Sequence, residues 1–197
     1  MNRTTLAVAF VLALAGAAPR AAADDRLASP AVPGNLVVQD GSRPYLIGHA
    51  TGTQNYSCLP SATGVAWTLF GPQATLFNDD TDQIITHFLS PNPAENGTPR
   101  ATWQHSRDTS SVWAVMVASS TDAAYVAPGA IPWFLLQVVG AQYGPDWGHK
   151  LVRTTFIQRV NTTGGVAPAA GCATATDIGK KALVPYRADY VFYRATN

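Results

Sequence analysis

The apolar positions of this chain fall in short runs cut by turn residues, and the runs alternate with a period of two or are apolar throughout. Leu36 to Val38 is the first, followed by Tyr45 to Cys58. Val65 to Phe70 follows the turn around Gly64, and Ala74 to Phe77 follows Gly71-Pro72. Ile84 to Leu89 comes after the acidic turn at Asp79, Asp80 and Asp82. It alternates, so Ile85, His87 and Leu89 share one face and Ile84, Thr86 and Phe88 the other. Trp113 to Ala118 follows a polar stretch. Ile131 to Val139 is apolar on both strand faces and predicts a central buried strand. Leu151 to Val160 sets Val152, Phe156 and Val160 on one side and Arg153 and Arg159 on the other. The loop Gly144 to Gly148 joins these two strands as a hairpin. Tyr186 to Tyr193 is a last aromatic strand.

No stretch holds a 3.6-residue period over several turns, and 16 glycines and 14 prolines recur too often for long helices. Short strands at regular spacing predict an all-β fold, a single-domain antiparallel β-sandwich or barrel with long loops and little helix. Two long loops are expected, Pro91 to Pro99 and Gly164 to Lys181. The expected organisation is a signal peptide over 1–23, a flexible Ala/Pro-rich N-terminal arm over 24–34, and one β domain over 35–197.

The signal reading rests on Arg3 in a short basic region, an apolar stretch from Leu6 to Ala18, and Ala21-Ala22-Ala23 before Asp24. The apolar stretch is shorter than the roughly 20 residues a spanning helix needs, so no membrane span is expected in the mature chain. Loss of Arg3 and Arg20 leaves 11 basic against 12 acidic residues, close to neutral. That balance argues against nucleic acid as a partner and against a polybasic membrane surface. Export to an oxidising compartment, extracellular or periplasmic, makes Cys58 and Cys172 the one possible intramolecular disulfide.

The order of several motifs resembles a family of exported bacterial and fungal proteins, domain-of-unknown-function family 3455. The motifs include Gly52-Thr53-Gln54-Asn55-Tyr56-Ser57-Cys58, His87-Phe88, Trp103-x4-Asp108-x-Ser110 and Ile131-Pro132-Trp133-Phe134. Ile157-Gln158-Arg159-Val160-Asn161-Thr162, Gly164-Gly165 and Pro185-Tyr186-x-Ala188-Asp189-Tyr190-x-Phe192-Tyr193 complete them. The resemblance implies an exported β domain and supplies no reaction. It groups His87 with Trp103, Asp108 and Ser110. One departure is that Ser90 to Thr102 separates His87 from Trp103 by more residues than in the family's shorter form.

No nucleophile elbow, P-loop, dinucleotide fingerprint or zinc spacing is present, so no cofactor and no metal is expected. A metal site assembled across strands from His49, His87 and His105 is the alternative to that expectation. Catalytic candidates are His87, Asp108 and Ser110. His87 is expected within reach of Asp108 or Ser110, beside Trp103, at the edge of a cavity; the alternative is a core histidine bonded to backbone carbonyls. Candidate ligand-binding residues are Trp103, Trp147 and Gln54. A buried Gln54 or Gln158 must either clamp a loop or face a pocket, because a buried amide needs partners. Asn55, Asn96 and Asn161 open N-glycosylation sequons.

Three functions remain open. The leading one is non-catalytic binding of a small-molecule or carbohydrate-like ligand. The second is a hydrolase-like enzyme with a site around His87, Trp103 and Asp108. The third is a structural envelope or matrix protein.

Overall fold

The computed structural model describes residues 27–196, so the expected signal peptide and the first residues of the expected arm lie outside it. Eight antiparallel strands form one closed barrel: β1 (Ser42–Ser61), β2 (Gly64–Phe77), β3 (Gln83–Asn92), β4 (Thr98–His105), β5 (Ser111–Ser120), β6 (Trp133–Gln142), β7 (Thr154–Gly164) and β8 (Lys181–Ala195). Each strand pairs with its neighbour in sequence, and β1 closes the ring on β8. Closure satisfies every edge, which a sandwich leaves open. Among the described residues the only helical elements are three single 3-10 turns, at Gly34–Leu36, Pro93–Glu95 and Ala175–Asp177.

The strands differ from the sequence pattern in several places, among them β4, which the pattern did not mark, and β7, which begins at Thr154 rather than Leu151. Val65–Phe70 and Ala74–Phe77 are one strand, because Gly71 (φ +148°) and Pro72 sit at a bulge opposite Asn55 rather than in a turn. A bulge is where a strand accommodates a residue that cannot donate to the ladder. Pro91 to Pro99 is not a long loop: Pro91 pairs with Pro99 and Asn92 with Thr98, and a single 3-10 turn joins them. Leu36 to Val38 is not a strand either. It begins in a 3-10 turn and lays Leu36 against the outside of the barrel.

The hydrophobic residues form two layers. The barrel interior holds Leu76, Ile85, Trp103, Val112, Leu136, Leu151, Ile157, Tyr190 and Phe192. An outer cluster of Leu36, Val126, Trp133, Leu135, Val160, Val191 and Tyr193 is covered by the segment leading into β1 and by the 121–132 connection. This explains why Ile131 to Val139 is apolar on both faces. Trp133 and Leu135 face the outer cluster, while Phe134 and Leu136 face the interior.

Small residues on β1 let the wall curve. A Cβ at Gly52 would lie 2.2 Å from the Gln73 carbonyl oxygen, so only glycine fits there. Cys58 and Cys172 form a disulfide with a Cα–Cα distance of 5.5 Å, which ties the 165–180 connection to the outer end of β1.

Candidate functional site

A cavity of about 270 Å³ lies in the barrel interior. Its apolar lining comes from Leu69, Phe70, Pro72, Leu89, Ala101, Phe134 and Leu136. Its polar lining is Gln54, His87, Trp103, Arg159 and Tyr190. Leu69, Phe70 and Leu89 are 43–50% exposed, whereas Trp103 and Tyr190 are fully buried. The cavity therefore runs from an apolar rim at the surface to a sealed aromatic floor.

Local sequence places each polar group. His87 and Trp103 face inward from β3 and β4, directly opposite each other in the register. The longer separation between them is absorbed by lengthening this hairpin symmetrically, so the two side chains still meet. Their rings stack with centroids 4.2 Å apart and planes 10° from parallel. Tyr190 on β8 packs edge-on to both. The His87 Nδ1–H donates to the Thr102 carbonyl at 2.8 Å. In the neutral ring Nε2 is then the acceptor. Burial is the main cause that lowers the His87 pKa, to about 3; the Arg159 charge adds to it and the Thr102 bond opposes it. The ring is uncharged at neutral pH.

Two residues of this lining carry a buried donor with no hydrogen-bond partner: Gln54 at Nε2 and Trp103 at Nε1. A third, Trp133 Nε1, lies in the outer cluster away from the cavity. Gln54 and Gln158 thus take the two different routes open to a buried amide. Gln158 clamps: its Nε2 donates to the Leu36 carbonyl and its Oε1 accepts from the Tyr193 hydroxyl. Gln54 faces the cavity. Above it, Gly165 approaches so closely (φ +81°) that a Cβ would lie 3.2 Å from the Gln54 side chain and 3.0 Å from Ile131 and Tyr186. The Tyr56 hydroxyl holds this glycine by donating to its carbonyl.

Asp108 and Ser110 do not join His87. They sit at the other end of the barrel, beyond the end of β4, where the 143–153 connection closes the ring. Asp108 accepts from the backbone N–H of Lys150 at 2.7 Å and from both the hydroxyl and the N–H of Ser110. The Ser110 hydroxyl oxygen in turn accepts from the Leu151 N–H. Leu151 is fully buried and fills the base of the interior. Burial acts to raise the Asp108 pKa, but these hydrogen bonds outweigh it and hold the carboxyl down at about 2. The histidine that Asp108 meets is His105, at 3.1 Å. The expected His87–Asp108 pairing is therefore replaced by a backbone bond for His87 and a loop anchor for Asp108.

Trp147 does not reach the cavity. It is 79% exposed on the same 143–153 connection, against Tyr143. The three histidines considered for a metal are dispersed as well. His49 lies on the barrel exterior between Asp79 and Asp189, His87 in the interior and His105 near the base. Among the described residues no group of three or more His, Cys, Asp or Glu side chains could hold a metal ion.

Arg159 is the cavity residue that sequence reasoning missed. It lies on the interior side of β7, paired with Phe134 on β6 and Tyr190 on β8. Its guanidinium carbon is 3.8 Å from the Phe134 ring centroid, and its Nε and Nη2 donate to the Pro132 carbonyl. Besides its place in the motif Ile157 to Thr162, the available signal was that Phe156 and Val160 face opposite to it on an alternating strand. That signal reads as outward when an outer apolar layer is not anticipated.

Residues 39–194 match the family described as "Protein of unknown function (DUF3455)". No curated protein and no solved structure matches the chain.

Proposed function

The chain belongs to the DUF3455 family, and we propose that its barrel is an exported binding domain that holds one small, largely apolar molecule in the interior cavity. The observation that carries this reading is that two residues of the cavity lining, Gln54 and Trp103, hold buried donors, Nε2 and Nε1, with no partner. Leaving a buried donor unsatisfied costs about 1–3 kcal/mol, so two on one cavity argue for a guest that supplies acceptors. An engineered apolar cavity of about 150 Å³ takes benzene, so the larger volume here suits roughly ten to twelve non-hydrogen atoms. The lining favours an aromatic or aliphatic guest with a few acceptor atoms. A saccharide would set many hydroxyls against Leu69, Phe70, Pro72 and Phe134. Export agrees with the disulfide, since such bonds persist in oxidising compartments.

Native mass spectrometry of protein isolated from its own host tests the reading. The expected result is one small molecule retained per chain and released on unfolding. A bare chain mass, together with no binder from a library of compounds of this size, would overturn it.

A further inference from the structure

Arg159 carries a charge into the cavity that the protein itself does not neutralise. Its side chain is buried, with the residue 7% exposed. Among the described residues no acidic side chain lines the cavity. Its neighbours there are a carbonyl oxygen, an aromatic face and the Tyr190 hydroxyl. Buried charges in folded proteins are as a rule paired with an opposite charge. A guanidinium lining a cavity is an anion-accepting group, because carboxylate oxygens accept its charge-assisted bonds in pairs. His87 is neutral and leaves Arg159 as the cation of the cavity.

We propose that the molecule bound in the cavity is a small organic acid whose carboxylate pairs with Arg159 and whose apolar body packs between Leu69, Phe70, Leu89 and the Trp103 ring. This rests on the cavity reading above and goes further by assigning the guest's charge and orientation. The acid end points to the β6–β7–β8 wall that carries Arg159 and Tyr190, and the apolar end points to the rim.

Matched pairs of a carboxylic acid and its primary amide separate the two claims, since each pair differs in charge and hardly in shape. Benzoate with benzamide, cinnamate with cinnamamide, and 2-naphthoate with 2-naphthamide are titrated at neutral pH by calorimetry. In the pair that fits best, the acid is expected to bind about tenfold tighter or more than the amide. Arg159→Gln should shrink that preference to about twofold, and Arg159→Lys should retain part of it. Equal binding of acid and amide by the unmodified protein, or a preference that survives Arg159→Gln, overturns the acid assignment and leaves the cavity reading standing. Failure of all six compounds overturns the acid assignment, and together with a bare chain mass in the native spectrum and no binder from the library it overturns the cavity reading as well. Should Arg159→Gln fail to fold, the unmodified protein decides through pH. Affinity for the acid should fall as the pH drops below the acid's own pKa while affinity for the amide stays level, and parallel curves overturn the assignment.

Discussion

His87 lies flat against Trp103, ring on ring, in the floor of a barrel cavity. The contact joins β3 to β4 at a directly opposed pair, and it holds in the cavity lining an indole whose N–H is buried without a partner. The histidine is thus a neutral aromatic wall element whose Nδ1 is committed to the Thr102 carbonyl.

This neutrality makes stability depend on pH. An unfolded histidine titrates near 6.5, and His87 in the folded chain titrates at about 3. As pH falls below 6.5 the unfolded chain takes up a proton that the folded chain refuses. The His87 contribution is therefore intact above about pH 6.5 and is lost progressively down to about pH 3, by about 1.4 kcal/mol per pH unit. His87→Gln should remove this slope. Urea unfolding of both proteins between pH 7 and pH 5 checks it: the stability difference should narrow on acidification. A difference that stays constant would mean that His87 is solvated and titrates normally.

Asp108 is expected to act on stability and not on binding. Asp108→Ala frees the Lys150 N–H and the Ser110 hydroxyl and should destabilise the protein by about 1–3 kcal/mol. Ser110→Ala should cost a similar amount, because it leaves the buried Leu151 N–H without its acceptor. Cavity affinity in the folded fraction should change less than about twofold, since neither side chain lines the cavity. Thermal unfolding beside a ligand titration separates the two effects. Loss of binding with stability preserved would restore Asp108 to the site.

The disulfide closes a loop with a sequence separation of 114. Chain-entropy reasoning assigns such a loop about 4–5 kcal/mol. A Cys58→Ser, Cys172→Ser double variant should lower the unfolding midpoint in urea accordingly. It should also loosen the connection that carries Gly165 over Gln54. A midpoint within error of the parent would show that the loop is already ordered without the bond.

The fold class was legible because alternation along Ile84–Leu89 and the doubly apolar Ile131–Val139 report strand geometry directly. The choice between sandwich and barrel was not, since it depends on β1 meeting β8 across most of the chain, as in the pairing of His49 with Asp189. His87 and Trp103, which line the cavity, stood out through the resemblance, and Gln54 through the rule that a buried amide needs a partner. Asp108 was expected beside His87 because the resemblance groups them, and a shared motif does not show what lies beyond the strand end at His105. Arg159 stood in a motif of the resemblance but was not singled out for the site, because a charged residue opposite Phe156 and Val160 looks solvent-facing. Here the 121–132 connection and Leu36 cover the outer face and leave the arginine inside.

Ala101 lines the cavity next to Trp103 on the same interior face of β4. Ala101→Leu should fill part of the space and abolish binding of the best acid. Stability should stay within about 1–2 kcal/mol of the parent, because the new methyl groups enter a void rather than a packed core. Calorimetry with the variant tests it. Undiminished binding would place the guest elsewhere.

The most direct test of a guest in the barrel is the indole N–H resonance of Trp103 in a ¹⁵N-labelled sample. Trp103 lines the cavity and its buried N–H has no partner, so a guest packed against its ring must move this signal. On titration with the best-fitting acid of the matched pairs, the Trp103 indole signal should shift to saturation with one molecule bound per chain. The Trp147 indole, exposed at the far end of the barrel, should stay fixed. A Trp103 signal unmoved at saturating acid, or a shift confined to Trp147, would contradict the account.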